Sequence, residues 1–593
     1  MCGIFGFSLT RALNASDIDT GLKHLNLLSH RGPDGQDHVA FCEKGVFIGH
    51  RRLAIIDTSE KASQPMSLDR LTIANNGEIY NYVELRKVLE ATGAKFNTDS
   101  DTEVLLGAWR KYGARCLEEL DGMFAFALFD GEVTHLVTDP FGEKPLYVIQ
   151  QDAGVYYASE PAALIKMLGL KFDPTELEIA AFLTLGFIPA PGTGFKKLQR
   201  LEPGSHVVIT NGKITKSTRY WVPSEPAVLG GKPKPLTDSQ IDEVAQALIN
   251  SVRVRLRSDV PMSIFLSSGV DSSLIAAIAS REFNADIPAI TVGFDGTDVH
   301  DESDSATAIA NYLGIDHEVI QADMTKGDDA LNLLMSLYGC PNDNTTAIPS
   351  FEMATVARDS ATVALSGIGG DEIFYGYNKY QYFYNHRTLL SLPRGLRTFA
   401  RWLLKSNHRR TAADCLRRSS LWTYANYKNA GTWDLLENIS GLDKWGDDFF
   451  SEYNQPQYLA TRHFDLTQVL PGSYIPAIEL SSMRVALEVR TPFLNRDLLA
   501  VVDELDPRSF VGFGQKSVAR RILSRYIPLH LTPKGKRGFI YPLDQIVQSQ
   551  TTVPQVPGID DDLLVNLVNR RMDGRATDLF IRVMVLSRLI NVN

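Results

Sequence analysis

A chain of 593 residues is longer than one hydrophobic core organises, so two or more domains are expected. With 44% hydrophobic and 22% charged residues it has the composition of an ordinary globular enzyme, which excludes disordered and fibrous classes. A net charge of -10 argues against a nucleic-acid partner, and no apolar run reaches the length of a membrane span.

The cysteines (Cys2, Cys42, Cys116, Cys340 and Cys415) are odd in number and irregularly spaced, with neither a zinc pattern nor a disulfide framework. A reduced, cytoplasmic protein is the expectation. The opening MCGIFGFSLT has no basic stretch ahead of its apolar residues and does not read as a signal peptide.

From Met1 to about Tyr220 short β-rich runs recur between Gly, Asp and Asn turns: Val46–Ile48, Leu71–Ala74, Phe124–Phe129, His135–Thr138 and Val155–Ala158. Residues 1–220 therefore read as a sheet-rich first domain. Residues 221–235 (WVPSEPAVLGGKPKP) concentrate Pro and Gly without apolar periodicity, as a linker does. In residues 236–593 the apolar runs Met262–Leu266, Ala289–Phe294 and Thr362–Ser366 alternate with helical patterns such as Ile241–Leu256 and Ser272–Glu282. This is the βαβ rhythm of a parallel sheet, giving way to helices towards the C-terminal end.

Chemistry is suggested at two places. Removal of Met1 would leave Cys2 with a thiol and a free α-amine on one residue, and a terminal amine can take the thiol proton without a histidine. Taken alone, a second-position cysteine is more often a small apolar residue. In the second half, Leu266, Ser267, Ser268, Gly269, Val270, Asp271, Ser272 and Ser273 follow a strand pattern and open a helical one, so backbone N–H groups face an anion such as a phosphate. Asp271 can hold a magnesium ion there. A second glycine-rich run, Ser366-Gly-Ile-Gly-Gly-Asp-Glu372, again follows a strand, which puts Ser366, Gly367 and Asp371 at the carboxyl edge of the same sheet.

Five runs in the first half resemble the N-terminal-nucleophile (Ntn) glutaminase domain of class II amidotransferases: Met1–Gly6, Arg31–Gly35, His50–Leu53, Asn75–Asn81 and Ser100–Glu103. The resemblance covers residues 2–205 and implies an αββα sandwich. By it Cys2 attacks the glutamine amide, Asn76 and the N–H of Gly77 form the oxyanion hole, Arg52 holds the glutamine carboxylate, and Glu78 and Asp101 hold its ammonium. An Asn–Gly pair aiming two donors at an oxyanion is chemically sound, as is an arginine fork on a carboxylate.

The Leu266–Ser273 loop resembles that of ATP pyrophosphatases, with Ser268 in place of a glycine. Together with Ala486–Leu494 and Lys536–Phe539 it makes residues 240–545 similar to the C-terminal domain of glutamine-hydrolysing asparagine synthetases. That resemblance implies an ATP-pyrophosphatase-like parallel α/β domain with a helical extension, ATP as substrate, Mg2+ on Asp271 and Asp371, and Lys536 as the active-site lysine. The implied reaction is amidation of a carboxylate through an acyl-adenylate, with aspartate as the leading acceptor and a sheltered ammonia passage between the domains. A homodimer is compatible with it.

Two positions depart from the family pattern. Ile368 stands where a carboxylate is usual, and Glu479-Leu480 stands for an Asp-Arg pair. Drift, compensated by Asp343 or Glu372, explains this as well as a different acceptor does, such as a uronic sugar, a peptide or an acyl metabolite. A glutaminase with a nucleotide-sensing second domain would also keep Cys2 and the Ser267–Ser273 loop, but would not need Lys536. A ring-closing synthetase would typically lack the terminal cysteine. Nine basic residues lie between His386 and Arg418, a run that more often marks a solvated helix face than a site.

Overall fold

The computed structural model describes the chain except residues 1, 227, 229–231, 295–302, 323–326, most of 393–441, 451–452, 454–455, 533–545 and scattered positions from 549 onward. Two antiparallel six-stranded sheets use residues up to Arg219. One runs in the spatial order Leu198–Arg200, Tyr147–Gln151, Gly154–Ala158, Gly3–Leu9, Val46–Arg52 and Gly35–Phe41. The other runs Lys213–Arg219, Ser205–Thr210, Val133–Thr138, Gly122–Phe129, Leu71–Ile79 and Met66–Leu68.

Their facing sides share one apolar layer that includes Ile4, Ile48, Ala127, Leu136, Val148 and Val207. Each outer face is also covered. The helix Asp101–Tyr112 lays Val104, Leu105 and Trp109 on Phe124, Phe126 and Leu128, and on the opposite side Leu25, Leu164 and Phe182 cover Phe5, Phe7 and Phe47. Because the inner strands are buried on both faces, a strand such as Gly122–Phe129 is apolar along its whole length instead of alternating. The result is the four-layer αββα sandwich expected of an Ntn glutaminase.

A third sheet of five parallel strands follows, ordered His317–Ala322, Ala289–Phe294, Met262–Phe265, Val363–Leu365 and Glu488–Arg490. The helix Asp238–Arg255, opened by a Thr237/Gln240 capping box, and the helix Val270–Phe283 pack on it through Ile241, Leu248, Leu274 and Ile278. The βαβ pattern of the sequence and the all-parallel sheet agree for the usual reason: each helix carries the chain back so that the next strand starts at the same end.

The two halves meet closely. Leu53, Ile55, Tyr80 and Met123 pack against Val254, Val363, Met483 and Ala486. Arg496 donates to Glu118 O at 2.9 Å and Leu120 O at 2.6 Å, and Arg257 forks onto Glu84 at 2.6 and 2.8 Å. Val363 begins its strand and Ser366 follows that strand's last residue. The amino edge of the parallel sheet therefore faces the sandwich, while its carboxyl edge carries the glycine-rich loops.

Candidate active sites

Cys2 precedes the strand Gly3–Leu9 and is buried. Its N–H donates to Asn76 Oδ1 at 3.0 Å, its thiol lies 3.8 Å from Leu53 O, and its carbonyl accepts from Arg31 Nε at 3.0 Å. Burial pushes the thiol up from its ordinary value, so an ionised nucleophile needs a base beside it.

Asn76, Gly77 and Glu78 are consecutive on the strand Leu71–Ile79, which places Asn76 and Glu78 on one face. The Asn76 carboxamide is oriented by Cys2 through its oxygen, and its Nδ2 is buried with no hydrogen-bond partner among the described residues. A buried donor of this kind costs stability unless a ligand completes it. Gly77 has φ 147°, and a Cβ there would lie 2.0 Å from Met123 O, so only glycine allows the two strands to approach at this point.

Ser100 caps the helix Asp101–Tyr112 and sets Asp101 at its start, where the carboxylate accepts from Ile79 N at 2.8 Å. Burial, with Asp101 and Glu488 nearby, pushes Glu78 well above the usual carboxylate range, and burial lifts Asp101 to about 6. Two buried carboxyls raised in this way form a site that favours an added cation. Arg52 donates to Ser59 O at 2.8 Å and Asp57 O at 2.5 Å, which holds its guanidinium to the loop after its strand. His50, pushed by burial down to about 3, is neutral and donates from Nε2 to Asn75 O at 3.1 Å.

At the carboxyl edge of the parallel sheet, the Leu266–Ser273 loop folds on itself. Ser267 N and Ser267 Oγ meet Ser272 Oγ at 3.1 and 2.8 Å, and Gly269 N donates to Ser267 Oγ at 3.1 Å. Ser268 is buried. The second loop packs directly on it, since a Cβ on Gly367 would lie 2.9 Å from Ser272 N and one on Gly370 2.6 Å from Asp271 Cγ. The two aspartates converge on one cation: Lys516 Nζ is 2.5 Å from Asp271 Oδ2 and 2.8 Å from Asp371 Oδ1. Burial opposes the lysine's charge, but the two carboxylates hold it above its usual value. Lys516 adopts φ 53°, an uncommon backbone for a non-glycine residue and one that clusters at functional sites.

Both halves match known families: residues 1–221 fit the glutamine amidotransferase domain and residues 243–555 the asparagine synthase domain. The chain is 32% identical to asparagine synthetase (glutamine-hydrolysing) 1 of Bacillus subtilis, over 92% of its own length and 87% of the relative's. A putative asparagine synthetase (glutamine-hydrolysing) of Mycobacterium tuberculosis is equally identical, 32%, with 92% and 88% covered. The chain belongs to the glutamine-hydrolysing asparagine synthetase family. Among solved structures, glutamine phosphoribosylpyrophosphate amidotransferase of Bacillus subtilis covers 54% of the chain and 65% of its own at 20% identity, with a TM-score of 0.29.

Within this family member Lys536, expected as the active-site lysine, lies outside the described residues, as does most of the basic run between His386 and Arg418. The lysine that meets the two aspartates is Lys516, which motif reading missed. Its flanking glycines Gly512 and Gly514, just before a helix, were the available signal.

The residues expected to compensate for Ile368 are engaged elsewhere. Asp343 accepts from Arg582 at 2.6 Å, and Glu372 accepts from Tyr377 Oη at 2.8 Å. Ile368 itself packs on an apolar group containing Phe265, Ile290, Ile478 and Val489. Glu479 is buried and turns toward the sandwich, where it meets Arg31 and Lys144. Glu488 was also missed. It is paired with Arg490 at 2.7 Å, and its charge reaches both Glu78 and Asp101. Among the described residues no helix is long and apolar enough to cross a membrane.

Proposed function

We propose that the chain is a glutamine-dependent, ATP-dependent amidotransferase with two chemistries divided between residues 1–220 and 236–593, joined by a linker at 221–235. The observation that carries the reading is the pairing of Cys2 with an Asn76 amide whose donor has no partner among the described residues, in one chain with two loop aspartates closed on Lys516.

In the first half Cys2, its proton taken by its own α-amine once Met1 is removed, attacks the glutamine amide carbon. Asn76 Nδ2 and Gly77 N–H receive the oxyanion, Arg52 takes the α-carboxylate, and Glu78 with Asp101 takes the α-ammonium. Water then releases glutamate, and ammonia leaves. In the second half Leu266, Ser267, Ser268, Gly269, Ser272, Ser366 and Gly367 hold ATP at the sheet's carboxyl edge. The acceptor carboxylate displaces pyrophosphate from the α-phosphorus, and ammonia then displaces AMP from the acyl-adenylate. Lys516 is placed to steady the charge on the leaving phosphates.

Asp271 and Asp371 suit magnesium, because their oxygens already share one cation's position and two carboxylates plus phosphates are a usual magnesium environment. The metal would neutralise phosphate charge as the bond to pyrophosphate breaks. Because the two sites lie at opposite edges of one short sheet, ammonia would travel within the chain, sheltered from protonation by water.

Aspartate is the leading acceptor. A second reading, the same chemistry on a larger or less charged carboxylate, is favoured by the apolar packing of Ile368 and by Asp343 being held by Arg582. The test presents the enzyme with glutamine, MgATP and a panel of carboxylates, aspartate first, and follows AMP. Formation of ADP would overturn the adenylation. Glutaminase activity with no AMP on any acceptor would favour a nucleotide-sensing second half. Cys2→Ala should abolish glutamine-driven turnover and spare ammonia-driven amidation.

A further inference from the structure

A buried chain of charges links the nucleophile to the synthetase half. Arg31 is fully buried, and its three nitrogens are all used: Nε on Cys2 O at 3.0 Å, Nη1 on Glu160 at 2.9 Å and Nη2 on Glu479 at 2.6 Å. Glu160 is additionally met by His30 Nε2 at 3.0 Å, and Glu479 by Lys144 Nζ at 2.8 Å. Two arginine and lysine cations thus alternate with two carboxylates, and removing one member leaves an uncompensated buried charge.

Glu479 belongs to the helix Ile475–Met483 of the second half. The same turn carries Ile478, packed in the apolar group that Ile368 joins, and Leu480, which lines a cavity shared with Tyr147 and Ile188. Ser481 Oγ donates to Ala347 O at 2.8 Å and fastens this turn to the neighbouring helix. One helical turn therefore touches both the Ile368 loop and the arginine that holds the nucleophile's carbonyl.

We infer that Glu479 is a positioning residue for Cys2: it fixes Arg31, Arg31 fixes the Cys2 carbonyl, and the synthetase half thereby sets the placement of the thiol over the glutamine amide. The inference rests on the reading of Cys2 as the glutaminase nucleophile. The Glu479-Leu480 departure from the family's Asp-Arg pair thus gains a use at the junction of the halves. Glutamine itself is bound by other groups, so the link acts on turnover and not on recognition.

The experiment uses the full chain with Glu479→Gln, which keeps shape and removes the charge. A displacement of about 1 Å in a nucleophile costs up to about 100-fold. Glutaminase kcat should fall about 10- to 100-fold with KM for glutamine within about threefold, and alkylation of Cys2 by iodoacetamide should slow in parallel. Ammonia-driven amidation should stay within about twofold.

The double variant Glu479→Gln with Lys144→Met restores charge balance and guards against misfolding. It should melt like the wild type and still show the loss of glutaminase kcat. Recovery of kcat in the double variant would show that only charge balance mattered and overturn the inference. So would equal losses in the glutamine and ammonia reactions, or no loss at all. A wild type that hydrolyses no glutamine would instead overturn the glutaminase reading itself, and the inference with it.

Discussion

Asn76→Ala separates a catalytic amide from a structural one. Among the described residues the wild-type side chain makes one hydrogen bond, from Cys2 N to Oδ1 at 3.0 Å, and buries Nδ2 without a partner. Truncation leaves the buried Cys2 N–H without that acceptor, a cost of about 1–3 kcal/mol, and removes an unsatisfied donor whose burial also costs about 1–3 kcal/mol. The two terms nearly offset, so the melting temperature should move by no more than about 2 °C. For the oxyanion the account is one-sided. Loss of a preorganised donor costs about 2.7–4 kcal/mol in the transition state, a fall of about 100- to 1000-fold in kcat. Glutamate release under saturating glutamine measures it, with ammonia-driven amidation as the internal control. A drop smaller than about fivefold, or a melting temperature that falls together with activity, would refute the reasoning and make Asn76 a structural amide.

The pH dependence of glutamine use should reflect Asp101, lifted by burial to about 6, and Glu78, which burial and the neighbouring Asp101 raise well above its ordinary value. Glutamine's ammonium needs them ionised, so kcat/KM for glutamine should fall as falling pH protonates the pair, Asp101 near pH 6. Their own contribution to stability runs the other way, because between about pH 4 and 6 the native chain binds more protons at these groups than the unfolded one, so the share of unfolding free energy they supply rises as pH falls there and should be lost in Asp101→Asn. Lys516→Met should suppress AMP formation while leaving glutamate release from glutamine intact, since among the described residues the lysine's ion pairs are with the two loop aspartates. An unchanged AMP rate would remove Lys516 from the phosphate site. Arg582→Ala strips the fully buried guanidinium from Asp343, Leu183 O and Asn429, and should cost about 3–5 kcal/mol, seen as a lowered melting temperature.

Cys2, Asn76, Gly77, Asp101, Asp271 and Asp371 stood out as candidates because short motifs with family resemblance carry them, and the structure brings Cys2 beside Asn76 and Asp271 beside Asp371. Asn76 follows an apolar strand run, Asp101 follows a serine cap, and Asp271 starts a helix after a strand. Local patterns of this kind survive in one dimension, since propensity, capping and glycine placement act over a few residues. A sheet-rich first half was legible from strand runs broken by turns and the parallel sheet from the βαβ rhythm, whereas the αββα layering was implied only by the resemblance to Ntn glutaminases. The partners of the site charges were not legible. Lys516 is 245 positions from Asp271, Lys144 is 335 from Glu479, and Arg31 is 448 from Glu479. A buried carboxylate must find a cation, but any lysine or arginine in the chain satisfies that demand equally well in the sequence. Which cation arrives depends on how the sandwich seats against the parallel sheet, and only the packed tertiary structure decides that.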